Sequence, residues 1–173
     1  MPIPDERYEK LCEMWQPKSR VPTALKVYDI AGLVAGAHQG EGLGNAFLSN
    51  IQAVDGIYHM VRAFKDADIV HYDGEVNPIS DLDIISNELI QKDLMSIDKK
   101  MEDLDKKIQR FNDSQAKKEI EMLKKAQAYL KEGKWVKDCE FTNKEILYLN
   151  EYYFFTAKPV VYLINISTKD YKK

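Results

Sequence analysis

The sequence predicts an α/β protein whose parallel sheet is interrupted by an inserted antiparallel pair of helices. The first sign is an order of segments: an apolar, β-branched run from Leu25 to Ile30, a helical pattern from Asn45 to Val54, and a second strand-like run from Gly56 to Val61. Strand, helix, strand is the smallest parallel unit, with a right-handed crossover. The second sign is a seam in which Ile90, Leu94, Ile97, Met101, Leu104, Ile108 and Phe111 alternate steps of four and three, which is heptad spacing. The third is a return to strand character at Pro159 to Ile164.

Taken in order, residues 1 to 22 carry Pro2, Pro4, Pro17 and Pro22 around a short helical pattern of Tyr8, Leu11, Cys12 and Trp15. Thr23 to Ile30 reads as a buried strand, and Asn45 as the N-cap of a helix with Phe47, Leu48, Ile51 and Val54 inward. Phe64 to Asn77 is acidic and irregular, and from Ser80 the pattern turns helical. Asn112-Asp113-Ser114 interrupts the seam with turn and capping residues before Ala116, Ile120, Leu123 and Leu130 resume it as far as Gly133. Helices joined by so short a turn fold back on each other, so the expectation is a coiled-coil hairpin projecting from the sheet domain. Ile146, Leu147, Leu149 and Tyr153 mark another helix, and Pro159 to Ile164 a last buried strand. The domain expectation is therefore 1–89 for the first part of the sheet domain, 90–138 for the helical insertion and 139–173 for the return.

Composition removes several classes. A chain of 173 residues, 45% hydrophobic and 31% charged, has the balance of a globular protein rather than a disordered one. A net charge of −3 argues against wholesale binding of polyanions while leaving room for a local basic face. Cys12 and Cys139 are too few and too far apart for a disulfide framework or a four-ligand zinc site. No segment has the length of a secretory leader or a membrane span, so the expected address is cytoplasmic and no membrane partner is expected.

The stretch with most chemistry runs from Asp29 to Asn45. Four glycines lie between Gly36 and Gly44, allowing positive φ angles and close approach of backbone to a ligand. An acid at the carboxyl end of a parallel strand faces the crevice where ligands collect, and Mg²⁺ is usually held there through one such oxygen and waters. Asp29 is the candidate, and Gly32 could bring its bare N–H to a terminal phosphate. A strand ending in a turn is the plain alternative. His38, set among glycines, could exchange a proton near neutral pH. His59 reads as a core residue, and His71 has no spaced partner.

The longer string from Asp29 to Leu48, Asp-Ile-Ala-Gly-Leu-Val-x-Gly-Ala-His-x-Gly-x-Gly-Leu-Gly-Asn-x-Phe-Leu, resembles the switch region of the Obg-like ATPases, the YchF subfamily of P-loop proteins. The likeness extends from Pro4-Asp5-Glu6-Arg7 through Arg62-Ala63-Phe64 to Val161-Tyr162-Leu163-Ile164-Asn165. It implies a partial P-loop NTPase domain, with Asp29 linked to Mg²⁺ through water, Gly32 sensing the γ-phosphate, and Asn165 and Ile166 at the base. Leu33 stands where many GTPases orient the attacking water with glutamine, and the resemblance gives that task to His38. Thr168 falls where GTPases place a guanine-reading aspartate; one hydroxyl cannot supply the paired acceptor, so ATP is the expected substrate, with GTP left open.

No Gly-x-x-x-x-Gly-Lys-Ser/Thr string occurs in the 173 residues. The family would place it before Met1 and a TGS domain after the last strand, so these residues alone are expected to be inactive. For the whole protein the resemblance implies ATP hydrolysis and association with the large ribosomal subunit. The alternative is a non-catalytic module docking on a ribosome, RNA or protein through the helical pair. There, eleven basic and eight acidic side chains lie between Asp98 and Lys134, with lysine pairs at 99–100 and 106–107, and at 117–118 and 124–125. A solvated flank is the preferred reading, and an RNA backbone contact the functional one.

Overall fold

A computed structural model describes residues 2–29, 51–66, 68–69, 71 and 74–172. The chain divides into two compact units, Met1–Ala31 and Gly32–Lys173.

In the first unit, helix α1 (Glu6–Trp15) is started by Asp5, whose carboxylate accepts the Arg7 N–H at 2.9 Å, and stopped at Gln16, whose φ is 42°. Cys12 is its buried residue, whereas Leu11, Met14 and Trp15 are exposed. The expected strand at Thr23 to Ile30 does not form over residues 23–29. Ala24 makes a single antiparallel bridge to Pro2, Ile3 donates to the Thr23 carbonyl, and Val27 and Tyr28 are exposed. β-branched composition supplies the propensity, but a strand exists only where a second strand completes its ladder.

The second unit is built around one parallel pair. Strand β1 (Ile57–Arg62) lies beside β2 (Val160–Asn165) in a register that sets Ile57 opposite Val160 and Arg62 opposite Asn165. Gly56 permits the close start of this pair, because a Cβ there would stand 3.3 Å from the Pro159 carbonyl oxygen. The helix expected at Asn45 to Val54 is described only at its end, where residues 51 and 52 are helical and Ile51 is buried. The last strand was expected to be buried. Instead Val161, Tyr162, Leu163 and Ile164 are exposed, as are Tyr58 and Met60 of β1. Parallel strands are buried when layers cover both faces, and among the described residues no helix covers this pair on both sides.

Between the strands stands first a pair of long helices. Asn77 caps α2 (Pro78–Phe111) by accepting the Ser80 N–H, and Pro78 occupies the first turn, where its missing N–H costs nothing. At about 1.5 Å per residue its 34 residues extend about 50 Å. Asn112, with φ of 47°, ends it, and Asp113 accepts the N–H groups of Gln115 and Ala116 to start α3 (Ser114–Lys131). Asp98 and Gln127, equally far from this turn, share a 2.6 Å hydrogen bond, so the two helices run antiparallel. Ile90, Ile97 and Leu104, seven apart, are buried on α2, and Ala116, Ile120, Leu123, Ala126 and Leu130 are buried on α3. Leu94, Met101 and Ile108 are half-buried, and Phe111 at the tip is 77% exposed. Helix α2 is continuous through residues 89 and 90, where the sequence placed a domain boundary.

Helix α4 (Asn143–Tyr152) opens with a capping box between Thr142 and Glu145. Its sole buried residue is Leu149, with Ile146, Leu147 and Tyr153 exposed. Phe154 and Phe155, just beyond it, are buried instead. A four-residue helix α5 (Thr168–Tyr171) follows β2.

The buried seam makes a quantitative expectation. Leu123→Ala, at a side chain with no exposure, lowers unfolding stability by about 2–5 kcal/mol in a urea titration, whereas Phe111→Ala changes it by less than about 0.5 kcal/mol. Equal losses at the two sites would show that the helices do not pack in this register.

Candidate nucleotide site

Ligands of parallel α/β sheets collect outside the carboxyl ends of the strands. In this chain those ends are Arg62 of β1 and Asn165 of β2, and the ladder continues one step further because Ala63 N–H donates to the Asn165 carbonyl at 2.8 Å. Asn165 and Ile166 are therefore adjacent and exposed at the rim. Ser167 closes the turn by donating to the Asp170 carboxylate at 2.6 Å and accepting the Asp170 N–H at 3.2 Å, which starts α5 and places Thr168, exposed, at its first position.

Arg62 is a structural part of this rim that spacing alone did not indicate. Its guanidinium donates to the carbonyls of Phe64 at 3.0 Å, Asp66 at 3.3 Å and Ile69 at 3.1 Å, and lies 4.7 Å from the centre of the Phe64 ring. A planar fork with five donors suits a loop whose carbonyls converge from several directions. The cation at the strand end thus organises the loop after β1. The sequence signal was the Arg62-Ala63-Phe64 string, whose aromatic supplies the stacking surface.

Asp29 belongs to the first unit, and Asn165 and Ile166 to the second. Asp29 is exposed in an irregular stretch, so it does not stand at the end of a parallel strand as the sequence suggested. No group of three or more His, Cys, Asp or Glu side chains among the described residues could cage a metal. A single carboxylate supplemented by phosphates is the usual manner of holding Mg²⁺, so Asp29 fits that ion in its chemistry. Gly32 and His38 lie outside the described residues.

Of the other histidines, His59 is half-buried with its ring 5.7 Å from that of Tyr162, and burial pushes its pKa down. His71 has a partner after all: Nε2 lies 3.1 Å from Oδ2 of Asp81, a residue the start of α2 brings back to the loop.

The turn that leads into β2 is held by a buried carboxylate that the heptad pattern did not single out. Asp93 is 1% exposed on α2 and accepts the Phe155 N–H at 3.0 Å, the Thr156 N–H at 2.8 Å and the Thr156 hydroxyl at 2.7 Å. These N–H groups begin the 3₁₀ turn Phe155–Ala157, and a negative charge suits such an end. Burial pushes the Asp93 carboxyl up to about 6, outweighing the three hydrogen bonds and the Lys158 charge, which pull it down.

On the helical pair, Lys100, Lys107, Arg110, Phe111, Glu119 and Tyr152 line a depression of about 480 Å³ that contains no strand residue. Tyr152 donates to Glu119 at 2.9 Å and stacks on Phe154, and burial with that carboxylate raises its pKa.

With a parallel pair, exposed residues at its carboxyl rim and a helical pair inserted between its strands, the chain has an α/β architecture. Comparison with known proteins shows what it is similar to. Obg-like ATPase 1 of Oryza sativa subsp. indica is 50% identical over 171 residues, covering 99% of this chain and 43% of the relative. That of Caenorhabditis elegans is 48% identical, covering 98% of this chain and 43% of the relative. The solved structure of the Schizosaccharomyces pombe YchF GTPase superposes with a TM-score of 0.76 at 45% identity, covering 99% of this chain and 47% of that one. No family model matches. Over nearly its whole length the chain is similar to the Obg-like ATPase (YchF) proteins, and it spans under half the length of the curated relatives it matches.

The raised Asp93 pKa has a definite sign in stability. A carboxyl whose folded pKa lies above its ordinary value of 3.8 favours the folded state most when protonated, so its contribution is greatest below pH 4 and is lost as pH rises to 6. Chemical denaturation of the wild type and Asp93→Asn across pH 3.5–7 is expected to show the difference in stability falling by about 3 kcal/mol over that window. A pH-independent difference would mean that Asp93 titrates normally.

Proposed function

We propose that this chain contributes the terminal-phosphate and base-contacting parts of an ATP-hydrolysing Obg-like enzyme of the cytoplasm that works with Mg²⁺. The observation that carries this reading is the 45–50% identity over 98–99% of the chain, which includes the Asp29 to Leu48 string. Asp29 would hold the ion through water, and the ion supplies charge neutralisation at the phosphates. Gly32 offers its N–H to the terminal phosphate, and His38 orients or deprotonates the attacking water, a role that Leu33 cannot fill. Asn165 and Ile166 contact the base from the exposed rim of β2. The relatives are named ATPases and the solved structure a GTPase. The absence of an acidic side chain at Thr168 favours ATP, because guanine selection uses a paired acceptor there.

The helical pair is the docking arm of this enzyme, a coiled coil that brings it to the large ribosomal subunit. Support comes from the basic excess along the pair and from Lys107 and Arg110 beside the exposed Phe111. Cation and aromatic together suit contact with an RNA backbone and its bases.

Calorimetric titration tests the assignment. Without a Gly-x-x-x-x-Gly-Lys-Ser/Thr cradle the 173 residues bind ATP-Mg²⁺ more weakly than about 100 μM, a loss of affinity that reflects the missing backbone cradle. Joined to a segment that bears the cradle, they bind in the micromolar range, and His38→Ala then lowers turnover by about 10²–10⁴-fold with ATP affinity unchanged. Unchanged turnover in that variant would remove His38 from the mechanism.

A further inference from the structure

Lys158 is a cation in an unusual place. It is 8% exposed, directly follows the turn held by Asp93, and its ammonium donates to the carbonyls of Gln52 at 3.2 Å and Val54 at 2.6 Å. Those carbonyls close the segment that follows the glycine-rich stretch, where residues 51 and 52 are the last helical ones. Carbonyls at a helix end have no partner within the helix, and a cation there is favoured by the dipole. Burial lowers the Lys158 pKa while the carboxylates of Asp55 and Asp93 oppose that shift.

Two opposite buried charges thus bracket one four-residue segment. Asp93 on α2 holds its amino end through Phe155 and Thr156, and Lys158 at its carboxyl end holds residues 52–54. The next residue, Pro159, accepts the Ile57 N–H at 2.9 Å and leads into β2, whose end presents Asn165. The same few atoms therefore tie together three parts of the chain: the inserted helix α2, the backbone at residues 52–54, and the turn that leads into the strand carrying Asn165.

We infer that Asp93 and Lys158 are positioning residues for the nucleotide site, linking helix α2 of the inserted pair to the backbone at residues 52–54. The inference rests on the functional reading above only for the word nucleotide; the linkage itself is a property of the described residues. A displacement of α2 by a bound partner would be felt at residues 52–54 through a chain of charge-assisted hydrogen bonds, which are shorter and stronger than neutral ones. The converse holds with equal strength, since coupling between two sites is reciprocal.

Amide hydrogen exchange read by mass spectrometry on the full 173-residue chain tests this, with the wild type, Asp93→Asn, Lys158→Met and Lys158→Arg compared. Lys158→Met keeps the stem and removes the charge. It is expected to speed exchange at residues 51–56 at least tenfold while leaving residues 97–108 of α2 unchanged, and Lys158→Arg restores most of the protection. Asp93→Asn, which alters the carboxylate hydrogen-bonded to Phe155 and Thr156, is expected to speed exchange at residues 51–56 as well as at 155–158. Protection at 51–56 that survives Asp93→Asn, in a variant that exchanges faster at 155–158, would overturn the linkage. Uniform acceleration across the chain would do so too, since that is loss of fold rather than positioning. The nucleotide reading is judged separately: if ATP-Mg²⁺ fails to bind the chain joined to a phosphate cradle while the exchange coupling persists, that reading falls and the linkage stands.

Discussion

The interaction on which the second unit depends is the grip of one buried carboxylate on one turn. Asp93 satisfies three donors of Phe155 and Thr156 within 3.0 Å, and it does so from the middle of a helix whose far half belongs to the inserted pair. A charge this deeply buried costs several kcal/mol in lost hydration, and is tolerated only where donors replace water. The donors here are not adventitious, since backbone N–H groups at the start of a 3₁₀ turn have no partner of their own. One residue type at one position therefore solves two problems at once, seating the inserted helix and starting the segment that becomes β2.

Around that anchor the apolar contacts are divided. Along the helices, Ile97, Leu123, Ala126 and Leu130 are buried almost completely, a dense seam that stabilises the pair by removing apolar surface from water. Along the strands, Tyr58, Met60, Val161, Tyr162 and Ile164 keep half or more of their surface. Parallel strands rich in valine, leucine and isoleucine ordinarily lie beneath helices on both faces. The chain spans under half of its relatives' length, and its strands carry the composition of a covered sheet. Hydrogen bonding at the rim is nonetheless complete enough to fix the register, because Ala63 and Ile57 extend the ladder at both ends.

The parts of this arrangement that were legible in the sequence are those governed by local rules. Ile90, Ile97 and Leu104 fall seven apart and are buried, Asn112 and Asp113 make the turn, and the strands at 57–62 and 160–165 pair in parallel. Thr23 to Ile30 had the same local qualities as those strands, yet over its described residues it forms one bridge, because pairing is decided by a partner that periodicity does not contain. Asp93 was invisible for a related reason. The heptad seam did not include it, and its partners lie more than sixty residues away in sequence. Arg62 and His71 were likewise tied by residues that only the folded chain brings near. Of the candidate site, Asn165 and Ile166 could be located from the strand they end, while the roles of Asp29, Gly32 and His38 rest on the resemblance of their string.

The central claim is that the Asp93 carboxylate and the Thr156 hydroxyl act as one unit. A double-mutant cycle measures it directly, with unfolding free energies for the wild type, Asp93→Asn, Thr156→Val and the double variant at pH 7. The account predicts a coupling energy of about 1–3 kcal/mol, with the double variant less destabilised than the two single losses would add to. A coupling within about 0.3 kcal/mol of zero, the two losses simply adding, would contradict it.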